Sequence, residues 1–167
     1  MGLELHVATS AEQIEQVRDL FLEYQRAIGV DLCFQGFERE LATLPGDYAA
    51  PRGRLYLATV DAAPAGCVAL RALSATDCEL KRLYVRPAFR ASGLGVVLAR
   101  HAIEAARQWG YRRVVLDTLP SMTAAQRLYE KLGFRDTAPY VHNPEPGVRF
   151  MALDLVPDAE STRSETA

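Results

Sequence analysis

The sequence predicts a mixed α/β fold in which helices flank one largely antiparallel sheet. Three observations predict it. Strand-patterned and helix-patterned segments are interspersed without the strict alternation of a doubly wound parallel sheet. A chain of 167 residues buries roughly 70% of its unfolded surface, enough for one core without a staple. Cys33, Cys67 and Cys78 are odd in number and lack C-x-x-C spacing, which fits neither a disulfide framework nor a zinc site. We therefore expect no metal and a reducing compartment.

Taken in order, "LELHVAT" reads as a first strand, and Ser10 with Gln13 has capping-box spacing at the start of a helix. Ile14, Val17, Phe21, Tyr24 and Ile28 form its apolar stripe, and Gly29 ends it. A less regular helical segment covers "CFQGFERELATL" from Cys33 to Leu44, before Pro45, Gly46, Pro51 and Gly53 break the pattern. "RLYLATV" and "GCVALRAL" are strands around a hairpin turn at "DAAPA". "CELKRLYV" is the next strand, and Pro87 closes it because proline cannot donate to a ladder. A helix after Gly95 presents Leu94, Val97, Leu98, Ala102, Ala105 and Trp109 on one face. "RRVVLDTL" is a strand, Ser121 is a cap for the helix "MTAAQRLYEKLG", and "GVRFMALDL" is the last strand. Residues 1–156 read as one unit, and the polar stretch 157–167 reads as a disordered tail.

The composition excludes some partners. A net charge of −2 gives no electrostatic case for nucleic acid. No stretch approaches the ~20 apolar residues of a membrane span, and no basic region followed by an apolar segment opens the chain. The expected location is cytoplasmic, away from membranes.

The segment "LYVRPAFRASGLG" sits where a strand hands over to a helix. The first turn of a helix leaves N–H groups without intrahelical partners, and the macrodipole adds partial positive charge there. Gly93 and Gly95 remove side chains from that turn, and Arg90 adds a full charge, so the segment is a candidate anion site. It is not a P-loop, for G-x-x-x-x-G-K-[ST] is absent, and Leu98 stands where a dinucleotide fingerprint needs its third glycine.

Residues 90–95 resemble the R-x-x-G-x-G motif of the GNAT superfamily of acyl-CoA-dependent N-acyltransferases. About forty residues on, "AAQRLYEKLGF" resembles that family's second signature, A-x-x-L-Y-x-x-x-G-F. The two motifs stand in the family's order, and the element order from about Leu3 to Leu155 also matches it. The resemblance implies acetyl-CoA as cosubstrate. Backbone groups of Leu83, Tyr84 and Val85 would pair with its pantetheine arm, and the segment Arg90, Ala91, Ser92, Gly93, Leu94 and Gly95 would hold its pyrophosphate. It also implies that "CELKRLYV" and "RRVVLDTL" run parallel and splay apart around the thioester.

Acyl transfer to an amine requires a group that takes a proton from the nitrogen and one that gives a proton to the departing thiolate. The resemblance implies Tyr129 as the acid and the Val85 amide as the donor to the carbonyl oxygen. For the base it offers Glu79 first and Asp117 second, with Glu79 pairing to Lys81 and Asp117 anchoring a loop as their structural alternatives. Met122 stands where many relatives carry a cofactor-binding asparagine, a contact that methionine cannot supply and that Ser121 or Thr123 would have to replace. Tyr140, His142 and Asn143 fall in a Pro/Gly-rich loop that is a candidate acceptor wall, and Phe34, Phe37, Glu38, Tyr48 and Arg52 are further candidates.

The expected function is transfer of an acetyl group from acetyl-CoA to the primary amine of a small molecule or peptide. A non-catalytic acyl-CoA sensor, or acylation of a protein N-terminus or lysine, remains the alternative. Relatives commonly form homodimers.

Overall fold

The computed structural model describes residues 2–30, 32 and 36–155. Cys33, Phe34 and the expected 157–167 tail lie outside the described residues. The elements run β1 (Leu3–Val7), α1 (Ala11–Ile28), α2 (Phe37–Thr43), β2 (Arg54–Val60), β3 (Ala63–Ala72), β4 (Asp77–Val85), α3 (Leu94–Gln108), β5 (Arg113–Thr118), α4 (Thr123–Lys131), β6 (Arg135–Asp136) and β7 (Arg149–Asp154). They build a seven-stranded sheet in the order β1-β2-β3-β4-β5-β7-β6. Only β4 and β5 pair in parallel, so the sheet is the largely antiparallel one that the element order predicts.

Each face of the sheet carries its own core. Leu55, Leu57, Cys67 and Ala69 pack under α1 and α2 with Val17, Leu20, Phe21 and Phe37. Tyr56, Ala58, Val68, Leu80 and Leu116 point the other way, against Leu94, Leu98 and Ala102 of α3 and Tyr129 of α4. Strands buried on both faces read as apolar runs without alternation, which is why β2 and β3 are unbroken in the sequence. The capping box also forms: Gln13 N–H donates to Ser10 Oγ at 3.2 Å, and Ser10 N–H donates to Gln13 Oε1 at 3.2 Å.

Several boundaries differ from expectation. The β2–β3 hairpin turns on two residues, Asp61 and Ala62, with φ of 49° and 67°. A two-residue turn with both φ positive matches the twist of the strands it joins, so Ala63 and Pro64 belong to β3, and a register shift beside Thr59 accommodates them. Helix α2 begins at Phe37, after Gly36 at φ 69°. Helix α3 begins at Leu94 with Gly93 at its N-cap, earlier than the expected start after Gly95, and a short 3-10 turn spans Pro87–Ser92. Ser121 does not cap α4: Met122 holds the N-cap position without a side-chain bond, because the preceding turn is closed by Met122 N–H on the Leu119 carbonyl. Strand β6 has two residues, too short to leave a pattern.

Close approach of β3 to β4 and α3 depends on Gly66. A methyl group there would stand 2.7 Å from the Tyr84 carbonyl oxygen and 3.1 Å from Leu98 Cδ1. Gly66→Ala should therefore lower the unfolding free energy by about 2 kcal/mol in urea titrations; an unchanged midpoint would show that the strands have slack.

Candidate active site

Beside β5, strand β4 does two things that open the sheet. It pairs with β5 only at Asp77, Cys78 and Glu79, opposite Arg113, Val114 and Val115. Beyond Glu79 the two strands part. On its other side the register with β3 shifts between Cys67 and Ala69, and Arg82, at φ 61°, is the residue that bulges. A positive φ on a non-glycine residue costs free energy and persists only where its surroundings hold it. Here Cys67 Sγ donates to the Arg82 carbonyl at 3.4 Å. The guanidinium makes a two-pronged bond to Glu40, at 2.9 and 3.1 Å, and lies over the rings of Phe37 and Tyr24.

The bulge sets the phase of the rest of β4. Arg86 N–H donates to the Ala65 carbonyl of β3 at 2.8 Å, so by strand alternation Val85 turns its N–H and C=O to the β5 side. Arg90 Nε donates to that carbonyl at 2.9 Å. The Val85 N–H faces an open groove of about 500 Å³, walled by Leu83, Tyr84 and Val85 on one side and by Ser121, Thr123 and Leu128 on the other. Gly93, Gly95 and Arg90 line one end of this groove.

The residues expected at the anion turn divide. Gly93 takes φ 76°, and a side chain there would meet nothing within 4 Å, so the backbone conformation is what calls for glycine. At Gly95 a Cβ would stand 3.3 Å from Leu128 Cδ1, so glycine lets α3 lie against α4. No side chain caps α3, which leaves its first-turn donors to solvent or a ligand. Leu94 is buried in the core, and Ser92 Oγ donates back to the Phe89 carbonyl, so these two side chains and Ala91 do not line the groove.

At Tyr24 and Met122 the groove meets two small spaces between the parted strands, each of about 20 Å³. One is lined by Lys81, Arg82, Asp117, Thr118 and Tyr129, the other by Arg82, Asp117, Thr118 and Asn143 with apolar neighbours. Tyr129 is buried, its ring edge-to-face with Phe134. Burial above all, with Tyr24 and Asp117 adding, holds its phenol well above the usual range, so it is protonated at neutral pH.

The two carboxylates expected as base sit differently. Glu79 is 1% exposed; Arg71 Nε donates to one oxygen at 2.8 Å and Tyr140 O–H to the other at 2.6 Å. Lys81 Nζ lies 4.0 Å from Oε1, the pairing anticipated from sequence. Asp117 is half-buried, lines both small spaces, and accepts from Asn143 Nδ2 at 3.1 Å. Sequence reasoning missed Tyr24, Arg82, Glu40 and Thr118. Tyr24 was legible only as part of a helical stripe, and the others come from separate segments. Phe37 and Tyr48 are core residues, and Arg52 is held by Tyr111 and the Ser74 carbonyl.

Lys81 is 8% exposed. Burial first, then Arg82, lowers its ammonium from 10.5 to about 8. Between those values the unfolded chain keeps a proton that the folded chain has lost, so the group costs stability below pH 8 and the cost fades as pH rises. Relative to Lys81→Met, the protein should gain about 2 kcal/mol from pH 8 to about pH 10 in paired urea titrations. A flat difference would contradict a buried, titrating ammonium.

Comparison with known proteins bears on this arrangement. The model of the acetyltransferase (GNAT) family matches residues 14–134. An uncharacterised N-acetyltransferase of Schizosaccharomyces pombe is 40% identical over 146 residues, 86% of this chain and 90% of that one. Human N-acetylaspartate synthetase is 35% identical over 111 residues, 65% of this chain but 37% of that protein. Among solved structures, an acetyltransferase from Streptococcus agalactiae superposes with a TM-score of 0.79 at 20% identity, covering 93% of this chain and 99% of that one. A GNAT family acetyltransferase from Elizabethkingia anophelis with acetyl-CoA bound gives 0.67 at 24% identity, covering 92% and 98%. A sheet opened between two parallel strands, with a backbone-lined groove leading to the opening, thus belongs to a known lineage: the chain is a member of the GNAT family of acetyltransferases, an acyltransferase acting on amines.

Proposed function

We propose that the chain transfers the acetyl group of acetyl-CoA to the primary amine of a small acceptor of the amino-acid type. The observation that carries this reading is that the open groove shares Tyr24 and Met122 with the two small spaces that Asp117 lines, one of them also lined by Tyr129. Two features favour a small acceptor over a protein chain. The spaces beyond Tyr24 and Met122 are narrow, and the N-acetylaspartate synthetases among the relatives act, by their name, in making an acetylated amino acid.

Acetyl-CoA supplies an activated acyl group on a thiol leaving group. In this proposal the pantetheine arm lies along Leu83, Tyr84 and Val85 as an added strand. The first-turn N–H groups after Gly93, with Arg90, hold the pyrophosphate. Ser121 or Thr123, which flank Met122 on the groove wall, take over the contact that methionine cannot make. The Val85 N–H donates to the thioester carbonyl oxygen as charge gathers on it.

The acceptor arrives as an ammonium, and a carboxylate must take its proton before the nitrogen attacks. Asp117 is the base we favour, because it lines both spaces that the groove reaches. Glu79, whose two oxygens already serve Arg71 and Tyr140, then acts as the fixed counter-charge. Tyr129 gives its proton to the departing sulfur, and the second proton, shed by the nitrogen as the amide forms, passes through solvent and restores the phenol.

The test is thiol release from acetyl-CoA with a panel of amino acids and simple amines. We expect acceptor-dependent release, lowered at least about tenfold in kcat by Tyr129→Phe, with acetyl-CoA affinity within twofold of the parent. Binding of acetyl-CoA without release on any amine would instead identify a sensor.

A further inference from the structure

Thr118 ends β5 and is 3% exposed. Among the described residues its Oγ1 is a buried hydroxyl with no hydrogen-bond partner. Leaving such a group unsatisfied costs on the order of 1–3 kcal/mol, and an apolar residue of the same shape would avoid that cost. Thr118 lines the same small space as Asp117 and Asn143.

Asn143 is fixed in a way that tells its two amide ends apart. Its Oδ1 accepts the Glu145 N–H at 3.1 Å, so the end that meets Asp117 Oδ2, also at 3.1 Å, is the N–H₂ donor. Asn143 therefore donates to one oxygen of Asp117 and holds it, leaving the other for a donor in the space. That space, about 20 Å³, suffices for one water or for one nitrogen with its hydrogens. Ile28, Val30, Leu32 and Leu119 line the same space, a wall that suits carbon.

We propose that Thr118 Oγ1 and Asp117, the latter oriented by Asn143, seat the acceptor's primary amine nitrogen, with its carbon skeleton against Ile28, Val30 and Leu32. Thr118 is then a substrate-binding residue and Asn143 a positioning residue. The inference rests on the proposed transfer to an amine, and it explains why a buried hydroxyl is left without a partner in the free protein.

Other charged or titratable groups stand near Asp117. They are Lys81 and Arg82 of β4, Tyr24 of α1, Tyr129 of α4 and Tyr140 of the β6–β7 loop. The Thr118 and Asn143 variants leave all of these unaltered.

The experiment uses the full chain, acetyl-CoA, and whichever amino acid or amine of the panel releases thiol fastest. Thr118→Val should raise the KM for that amine about tenfold, leave the KM for acetyl-CoA within twofold, and leave the urea midpoint unchanged or higher. An unmoved amine KM, or a lowered midpoint with both KM values raised alike, overturns the seat. Asn143→Asp keeps the shape but places a like charge beside Asp117, and should move the acidic limb of kcat/KM upward by about one pH unit or more. Asn143→Leu, which only removes the donor, should move it less in the same direction. Limbs unmoved in both variants overturn the positioning role. If no amine is consumed at all, the proposed transfer fails and this inference with it; if an amine is consumed and the variants behave as the parent, this inference alone fails.

Discussion

One bulged residue in the middle of the sheet controls the rest of the molecule. Arg82 adds a residue to β4 and takes a backbone conformation that a side chain resists. That conformation is held from several directions: the Cys67 thiol on its carbonyl, Glu40 of α2 on its guanidinium, and the rings of Phe37 and Tyr24 beneath the charge. Pairing of β4 with β5 ends at Glu79, three residues before the bulge. The backbone of Leu83–Val85 becomes a strand edge that faces a groove instead of a neighbour. Unpaired edges usually invite association; here the edge lies inside a cleft, where a ligand can complete it.

The electrostatics of the opening arise from the same geometry. Arg71, Lys81 and Arg82 stand close to Glu79, Glu40 and Asp117, and most of this charge is removed from water. Buried charges persist when paired and hydrogen-bonded. Glu79 and Glu40 meet that condition with arginines on adjacent elements, so their roles are tied to holding β3, β4 and α2 together. Asp117 is held differently, by a neutral amide from the β6–β7 loop. In the proposed function this is the carboxylate that meets the acceptor's ammonium. The loop between β6 and β7 reaches both carboxylates, with Tyr140 on Glu79 and Asn143 on Asp117, so a single segment links the structural ion pair to the carboxylate proposed as base.

What could be read in the sequence was local. The turn from Arg90 to Gly95 and the helix ending in Gly133 and Phe134 each lie within one short segment, and each leaves its pattern in consecutive residues. The capping box of α1 and the apolar runs of β2 and β3 were legible for the same reason. Arg82 was not, because nothing in "ELKRLYV" marks a positive φ on arginine; the ion pair that supports it comes from Glu40, distant in the chain. Tyr24 shares the helical spacing of true core residues, and only the fold shows that it stands where the groove meets the small spaces. Thr118 looks like any threonine of a strand end. The preference for Asp117 over Glu79 in the proposed function likewise rests on contacts with Arg71, Tyr140 and Asn143 that sequence spacing cannot express.

The proposed function turns on the Val85 N–H, which strand alternation directs to the groove and which a pantetheine arm would bond. Amide hydrogen exchange resolved to single residues, with and without saturating coenzyme A, measures this directly. The Val85 amide should exchange fast in the free protein and slow at least about tenfold on binding, while Arg86, bonded to Ala65, is protected in both states. A Val85 amide already protected without ligand, or one indifferent to coenzyme A, would contradict it.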